Sequence, residues 1–415
     1  MIKDDFLSGI FYSVPNLRFL QFTNEWSKFA VSELLNTYPT NSLSWDKLSY
    51  IEKSKIKNIH YGIIHNGFKS TIINGNNQFI PFVNNSFTPK SYTLLQDGDL
   101  ILADASEDRK DVGRPVEMIN VDNQKIISGL HTIHARNKTN LLINGFKGFY
   151  FQSYAMKKQI YKIANGSKIY EISPANFNEL FISVPSKEEQ QKIVNLLQKI
   201  EDRIETQIKI ISSIESQIKS INNHVAFDSA TNELSIGNLF DIKTNSKILE
   251  KHDGKYCIVD MGTIDSNGNY ITGKYTDDIT SILTKGTLVM PKDDIGGGKI
   301  ICKTLYINES NKYVLSDHVF ALKLRNSKYN PLYFSSLINS QYHNHNLKRL
   351  VTGSAQLGIN QENLNKYKLR FSDCLELQKK YSKLIQLINE KLFIEKKLLY
   401  DLYNQKNYLM KNMFI

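Results

Sequence analysis

The apolar positions of this chain follow two rhythms. From residue 186 onward they fall at Ile193, Leu197, Ile200, Ile204, Ile208, Ile211, Ile214, Ile218 and Ile221, so that eight steps cover 28 residues, a mean of 3.5. That is the period of a coiled-coil seam. Ser186 and Glu189 stand just ahead at S-x-x-E spacing, which predicts a capping box at the helix start. A helix running from there to residue 223 would be about 57 Å long at about 1.5 Å per residue. It cannot bury its seam alone, so the spacing predicts a second helix against it. The same rhythm returns at the end of the chain, with Tyr381, Leu384, Ile388, Leu392, Leu399, Leu402, Leu409 and Met413 as the seam, Asp373 and Glu376 as its cap, and Glu395 and Lys406 as polar interruptions that set register.

Ahead of each helix the pattern shortens. Runs such as GFKSTII, GDLILADA and TNLLING in the first stretch, and KYCIVDMG and GTLVMPKDD in the second, are β-type segments punctuated by Gly and Asn. One or two helices are predicted inside the first stretch, the foremost at 147–164. The segment 15–35, with Trp26, Phe29, Val31, Leu34 and Leu35 at mixed spacing, predicts a short strand or helix feeding the domain.

The two halves are copies. At an offset of 187, His131 lies over His318, Ser153 over Ser340, Lys162 over Arg349, Gly166-Ser167 over Gly353-Ser354, Ile172 over Ile359, Asn176 over Asn363, and Gln191-Lys192 over Gln378-Lys379. With one more residue of offset, GDLILADA at 98–105 lies over GTLVMPKD at 286–293. Aligning Val31 with Ile236 makes the first copy longer by about eighteen residues before that point. A period of a whole domain plus a helix is a duplication and not a solenoid. The expected fold is α+β: two mixed domains at 1–184 and 226–371, joined by two long antiparallel coiled-coil helices at 185–225 and 372–415 in a pseudo-twofold internal repeat.

Composition adds a partner. The 415 residues carry 52 Lys+Arg against 41 Asp+Glu, a formal charge of +11, which leans toward a polyanion. The excess is not spread evenly. Residues 123–170 hold eight Lys/Arg and no acid, and residues 318–361 hold five and no acid; the two blocks occupy the same part of the repeat. Within them Tyr154, Lys157, Lys158 and Lys168 in one copy, and Gln341, Asn344, Lys348, Arg349 and Gln356 in the other, are candidate DNA contacts. So are Arg109, Lys110 and Arg114 on the loop DASEDRKDVGRP, and Lys292, Gly297, Gly298 and Lys299 on the triple-glycine loop, where glycine permits close approach of backbone to phosphate.

Candidate chemistry is thin. No Pro-Pro occurs, so the N/D-P-P-Y/F loop of an adenine methyltransferase is missing; Gly296-Gly297-Gly298-Lys299 lacks the early Gly and the Ser/Thr of a P-loop; and Pro291-Lys292-Asp293-Asp294 lacks the E-x-K of a nuclease. His343 and His345 are two apart and do not share a helix face, so no metal is expected. His131 and His318 read as strand histidines satisfied at the edge of a core. Cys257, Cys302 and Cys374 are far apart, which fits a reducing cytoplasm. The acidic start MIKDDFLSG and the lack of a long apolar run predict no leader and no membrane span.

With VPSKEEQQKIVNLLQKIEDRIETQ heading the first helix, GSKIYEIS and GSAQLGIN ahead of each helix, GLHTIHAR in the first domain, and the order domain, helix, domain, helix, the chain resembles the specificity (S) subunit of type I restriction-modification systems. The resemblance implies two target recognition domains, each reading half of a split double-stranded DNA site, and helices gripped by two modification subunits. It implies a chain without catalysis or cofactor of its own. Adenine methylation with S-adenosylmethionine belongs to the modification subunits, and ATP-driven translocation and cleavage to the restriction subunits. The second copy departs from the pattern: Arg370-Phe371 replaces Val184-Pro185, and LELQKK replaces EEQQKI, which bears on how the second helix docks. A coiled-coil scaffold that binds only proteins is the alternative; it leaves the acid-free blocks unexplained.

Overall fold

The computed structural model describes residues 14–52, 54–166, 168–227, 231–271, 273–354 and 356–415. The acidic start, Ser167 of the first Gly-Ser turn and Ala355 of GSAQLGIN lie outside them. The chain divides into two compact units, Met1–Ile208 with Lys397–Ile415, and Lys209–Lys396. Each therefore owns one half of each long helix.

In the first unit a five-stranded sheet runs in the order Leu35–Tyr38, Thr132–Asn137, Leu100–Ala103, Pro115–Ile119, Ile72–Asn74. All neighbours are antiparallel except the last pair. The strand Leu100–Ala103 is buried at every residue, and its alternation sorts the side chains. Leu100 and Leu102 enter a core with Phe146, Phe149, Tyr150 and the first long helix, whereas Ile101 and Ala103 enter a second core with Ile63, Phe68 and Met118. Period-two geometry thus turns one apolar run into the partition between two cores. The segment near Trp26 is a strand, Ser27–Ala30, paired antiparallel with Phe181–Val184 and followed by one helical turn, Val31–Leu34.

The second unit repeats this frame. Its four-stranded sheet is ordered Phe240–Lys243, Val319–Leu324, Leu288–Pro291, Leu305–Tyr306. Leu288, Met290, Phe320 and Leu322 face one core, and Val289, Val319 and Ala321 the other. Asn232–Ser235 pairs with Lys368–Phe371 as Ser27–Ala30 does with Phe181–Val184, and Val31 and Ile236 hold the same fully buried place. In this register Val184 lies over Phe371, not Arg370.

The helix expected at 147–164 is two helices, Phe146–Gln152 and Tyr154–Ile163, broken at Ser153. Ser153 is extended, and its hydroxyl accepts the Met156 N–H at 3.3 Å. Ser340 does the same between Pro331–Asn339 and Gln341–Lys348, accepting from His343 N at 3.2 Å. An N-cap serine offers the backbone a bond that a continuous helix would not.

The long helices are Lys187–Phe227 and Leu375–Asn412. In the first unit Ile193, Leu197, Ile200 and Ile204 share a core with Leu402, Leu409 and Met413, with Ile208 and Leu399 packed against it. In the second unit Ile211, Ile214, Leu392 and Ile385 are buried, and Ile218 and Ile388 half-buried. Within the first unit the helices run antiparallel: Glu201 pairs with Lys406 at 2.6 Å, while Arg18, which holds Glu189, follows Leu17, whose N–H bonds the Asn412 carbonyl at 2.9 Å. In the second unit Glu215 pairs with Lys396 at 3.0 Å. Leu384 does not lie in the seam. It is 45% exposed, and Ile385, at 2%, takes the inward place.

The reason is one extra residue. Two residues separate the strand ending at Val184 from the helix starting at Lys187, whereas three separate Phe371 from Leu375. The second helix is therefore turned by one position relative to a 187 offset, which places Ile385 where Leu197 stands. Its cap moves too. Gln378 N–H bonds the Cys374 carbonyl at 3.0 Å, so Asp373 lies outside the helix and its carboxylate accepts from Asn232 Nδ2 at 2.8 Å and Tyr329 OH at 3.0 Å. The first helix has half of its expected box: Ser186 Oγ accepts Glu189 N–H at 3.3 Å, but the Glu189 carboxylate accepts Arg18 Nε and Nη2, both at 2.7 Å.

Gln190 and Gln378, both fully buried, are the equivalent pair, in place of Gln191 and Gln378. Each accepts a domain N–H (Ile143 at 3.0 Å, Asn330 at 2.9 Å) and donates to the segment before its helix (Pro185 O at 3.0 Å, Ser372 O at 2.8 Å). Each domain is thereby fastened to its own helix.

Candidate nucleic-acid interface

In the first unit the strand Ala105–Ser106 pairs with Tyr170–Glu171. That pairing lays the loop 107–114 across the helix Tyr154–Ile163. Arg109 Nη2 donates to the Tyr161 carbonyl at 2.6 Å, its guanidinium lies 5.8 Å from the Tyr170 ring centre, and Tyr161 OH reaches the Lys110 carbonyl at 3.5 Å. Lys110, Tyr154, Lys158 and Lys168 are exposed, with Lys158 over the Tyr154 ring at 4.8 Å. Lys157 is half-buried. Burial holds its ammonium below the usual lysine range, Asp111 acts against that shift, and Arg114 and Lys406 add to it.

Arg114 is committed inward. Its two terminal nitrogens donate to the carbonyls of His65 at 2.7 Å and Phe68 at 3.1 Å, closing the end of the helix Tyr61–Asn66. It shapes the loop, giving two of its five N–H donors to backbone carbonyls.

In the second unit Asp293–Asp294 pairs with Leu357–Gly358, and the loop that follows meets the helix Gln341–Lys348. Lys348 Nζ donates to the Gly298 carbonyl at 2.6 Å, and the buried Asn344 donates Nδ2 to the Cys302 carbonyl at 2.9 Å. Both side chains hold the loop in place instead of facing outward. Gly297 and Gly298 sit at φ +77° and +78°, left-handed backbone that favours glycine. Lys299, Gln341, Arg349 and Gln356 are exposed and Lys292 is half-buried. Sequence reasoning missed Lys303, whose pKa is pushed down to about 8 by burial first and then by Lys348 and Lys219. Its neighbours come from three separated segments, so no linear signal marked it.

The acid-free blocks are not acid-free in space. Lys147 is fully buried and bonds Glu117 at 2.8 Å, Arg136 bonds Asp99 at 2.8 Å, and Arg325 bonds Asp241 at 2.7 Å. The acids come from strands and loops outside each block. His131 and His318 are not strand residues. They take left-handed backbone, φ 52° and 61°, just ahead of their strands. Their side chains are 42% and 41% exposed, with Nδ1 facing Asp104 at 3.3 Å and Asp293 at 2.7 Å. His343 is buried against Tyr367 OH at 2.9 Å, and burial lowers its pKa to about 4, whereas His345 is exposed. Among the described residues no group of three or more His, Cys, Asp or Glu is placed to hold a metal ion, and no helix is long and apolar enough to cross a membrane.

A comparison with curated proteins finds no match. Among solved structures, the chain is similar to a type I restriction-modification S subunit from M. genitalium at 16% identity and TM-score 0.58, covering 97% of this chain and 99% of that one. It is also similar, at 11% identity and TM-score 0.55, to a chain from a structural study of complex assembly and conformational transition of the type I R-M system, covering 93% and 96%. These likenesses concern the fold. The family model for the type I restriction modification DNA specificity domain matches twice, over residues 24–216 and 230–402. Each match holds one sheet domain, its loop-on-helix surface and most of a long helix, and the chain belongs to the type I restriction-modification DNA specificity family.

Proposed function

We propose that the chain reads a bipartite double-stranded DNA site, one half with each of the domains 1–184 and 226–371, and that it directs adenine methylation and restriction carried out by other subunits. The observation that carries this reading is the recurrence of one surface: in each unit the loop after a two-residue strand lies on the helix capped by Ser153 or Ser340. Lys110, Lys158 and Lys168 in one copy, and Lys299 and Arg349 in the other, stand exposed there without an acidic partner among the described residues. Exposed cations on a fixed loop are suited to phosphate and to base edges.

In this reading the chain performs no chemistry; S-adenosylmethionine and ATP bind to modification and restriction subunits, and the assembly works in the cytoplasm. The second long helix supports the docking of modification subunits, two in the full complex. In one unit its outer side carries Phe393 at 72% exposure and Ile394, and in the other Tyr400 at 66% and Leu398, large apolar groups that water does not favour exposed.

Exchanging residues 1–184 for those of another family member, followed by methylome sequencing, tests the division of labour. One half of the methylated motif is expected to change and the other to persist; alteration of both halves refutes it. DNA binding by the complex that falls steeply with salt separates this reading from a scaffold that binds only proteins.

A further inference from the structure

The loop of the second unit carries an apolar side chain that its own fold does not use. Ile295 follows the strand Asp293–Asp294 and is 65% exposed. A lone exposed isoleucine is ordinary, but this one stands on backbone held from several sides. The buried Asp294 carboxylate accepts the N–H groups of Gly296 at 2.5 Å, Ile300 at 2.8 Å and Ile301 at 3.3 Å. Lys348 ties down the Gly298 carbonyl from the neighbouring helix. The loop is thus built to a fixed shape, and Ile295 is left outside the apolar cores described in its unit. The exposed Lys299 lies on the same loop, and Arg349 ends the helix on which the loop rests.

We infer that Ile295 is a base-reading residue of the second domain and that the group it reads is the C5-methyl of a thymine. This rests on the DNA-recognition reading above. In the major groove the thymine methyl is the apolar feature of a base pair, and a branched aliphatic side chain with no donor or acceptor selects it by burying it. A loop already fixed in shape loses little freedom on binding, and flanking cations on phosphates set its depth.

The internal repeat supplies a contrast. Ala105–Ser106 is registered against Glu171 and Tyr170 as Asp293–Asp294 is against Gly358 and Leu357, so Glu107 occupies the place of Ile295 in the first domain. It is exposed and offers an acceptor, which suits a cytosine amino group and not a methyl. One position thus presents different chemistry to each half of the site.

The test uses the full chain assembled with its modification partners, on the bipartite site that methylome sequencing assigns to it. In the half-site that changes when residues 226–371 are exchanged, each thymine is replaced in turn by deoxyuridine, which lacks only the methyl, and binding is measured by fluorescence anisotropy. For the wild-type complex one replacement is expected to weaken binding about fourfold, the effect of one buried methyl. With Ile295→Ala that replacement is expected to change nothing, and with Ile295→Val the sensitivity is expected to persist. A uracil effect that survives in Ile295→Ala overturns the assignment, as does a half-site in which no uracil replacement matters or a loss in Ile295→Ala that is equal on every sequence. A wild-type complex that yields no bipartite motif overturns the DNA reading itself; a clear motif read without regard to the methyl overturns only the role of Ile295.

Discussion

Replacing Lys406 by Met probes how the polar interruptions of the helix seam act. Lys406 Nζ lies 2.6 Å from Glu201 Oε1, with the two side chains 12% and 4% exposed. Glu201 is more than half of an ion pair: it also accepts the Thr71 N–H, at 2.9 and 3.2 Å to its two oxygens, and its Oε1 lies 2.7 Å from the Thr71 hydroxyl. One carboxylate therefore joins both long helices and the start of the strand Ile72–Asn74. Methionine fills the space of the lysine stem but leaves a buried carboxylate with neutral donors alone. The expected loss is about 3–5 kcal/mol, the cost of breaking a buried pair from one side. Glu201→Gln with Lys406→Met removes both charges and keeps an acceptor for Thr71, so it is expected to fall within about 1–2 kcal/mol of wild type. Exchanging the charges, Glu201→Lys with Lys406→Glu, is not expected to rescue, because Thr71 would then face a donor. Urea unfolding followed by helical circular dichroism reads all three. A Lys406→Met variant that loses less than about 0.5 kcal/mol, as an ordinary surface change does, or a charge exchange that restores full stability, would refute the reasoning.

Three further outcomes are expected. Leu197→Ala and Ile385→Ala, both at buried seam positions, should each cost about 2–5 kcal/mol in the same assay, whereas Leu384→Ala on the outer side should cost less than about 1 kcal/mol. The pKa of buried His343 is lowered to about 4; the unfolded chain binds the proton more readily, so the contribution of this group is present above about pH 6.5 and is lost as pH falls toward 4. His343→Leu should therefore flatten stability against pH in that window, measured by urea titrations. Lys299→Ala and Arg349→Ala should each weaken DNA binding by the complex on every sequence and lower the salt slope by about one, while Asn344→Ala should lose about 1–3 kcal/mol of stability with the salt slope unchanged, because its amide is spent on the Cys302 carbonyl.

The duplication was legible because matched residues do matched work. Ser153 and Ser340 both cap helices, and His131 and His318 both take left-handed backbone beside an aspartate. The candidate interface was legible only in outline. Arg109, Lys110, Lys157 and Lys158 do gather on one loop and helix, but Arg114, Asn344 and Lys348 spend their donors on backbone carbonyls, and Lys147 on Glu117. Whether a cation faces solvent or an acid depends on residues far along the chain, and the acids that pair Arg136, Lys147 and Arg325 come from outside the blocks. A charge count within one window cannot see such partners.

What the sequence determined by itself is periodic or local: two long helices from a 3.5-residue seam, buried strands at GDLILADA and GTLVMPKDD though none at TNLLING, which turns directly into the helix Phe146–Gln152, the serine cap at Ser186, and a twofold repeat from matched text. These follow from geometry that each stretch of backbone imposes on its own side chains. What only the tertiary structure decided is which of two adjacent apolar residues turns inward and which polar groups meet. One residue inserted before the second helix turns it by about 100°, exchanging Leu384 for Ile385 and Asp373 for Cys374 with no change in period. Likewise Glu201, Thr71 and Lys406 become a single buried network only when two helices and a strand converge. Periodicity specifies that a face exists; packing against a particular neighbour specifies which one it is.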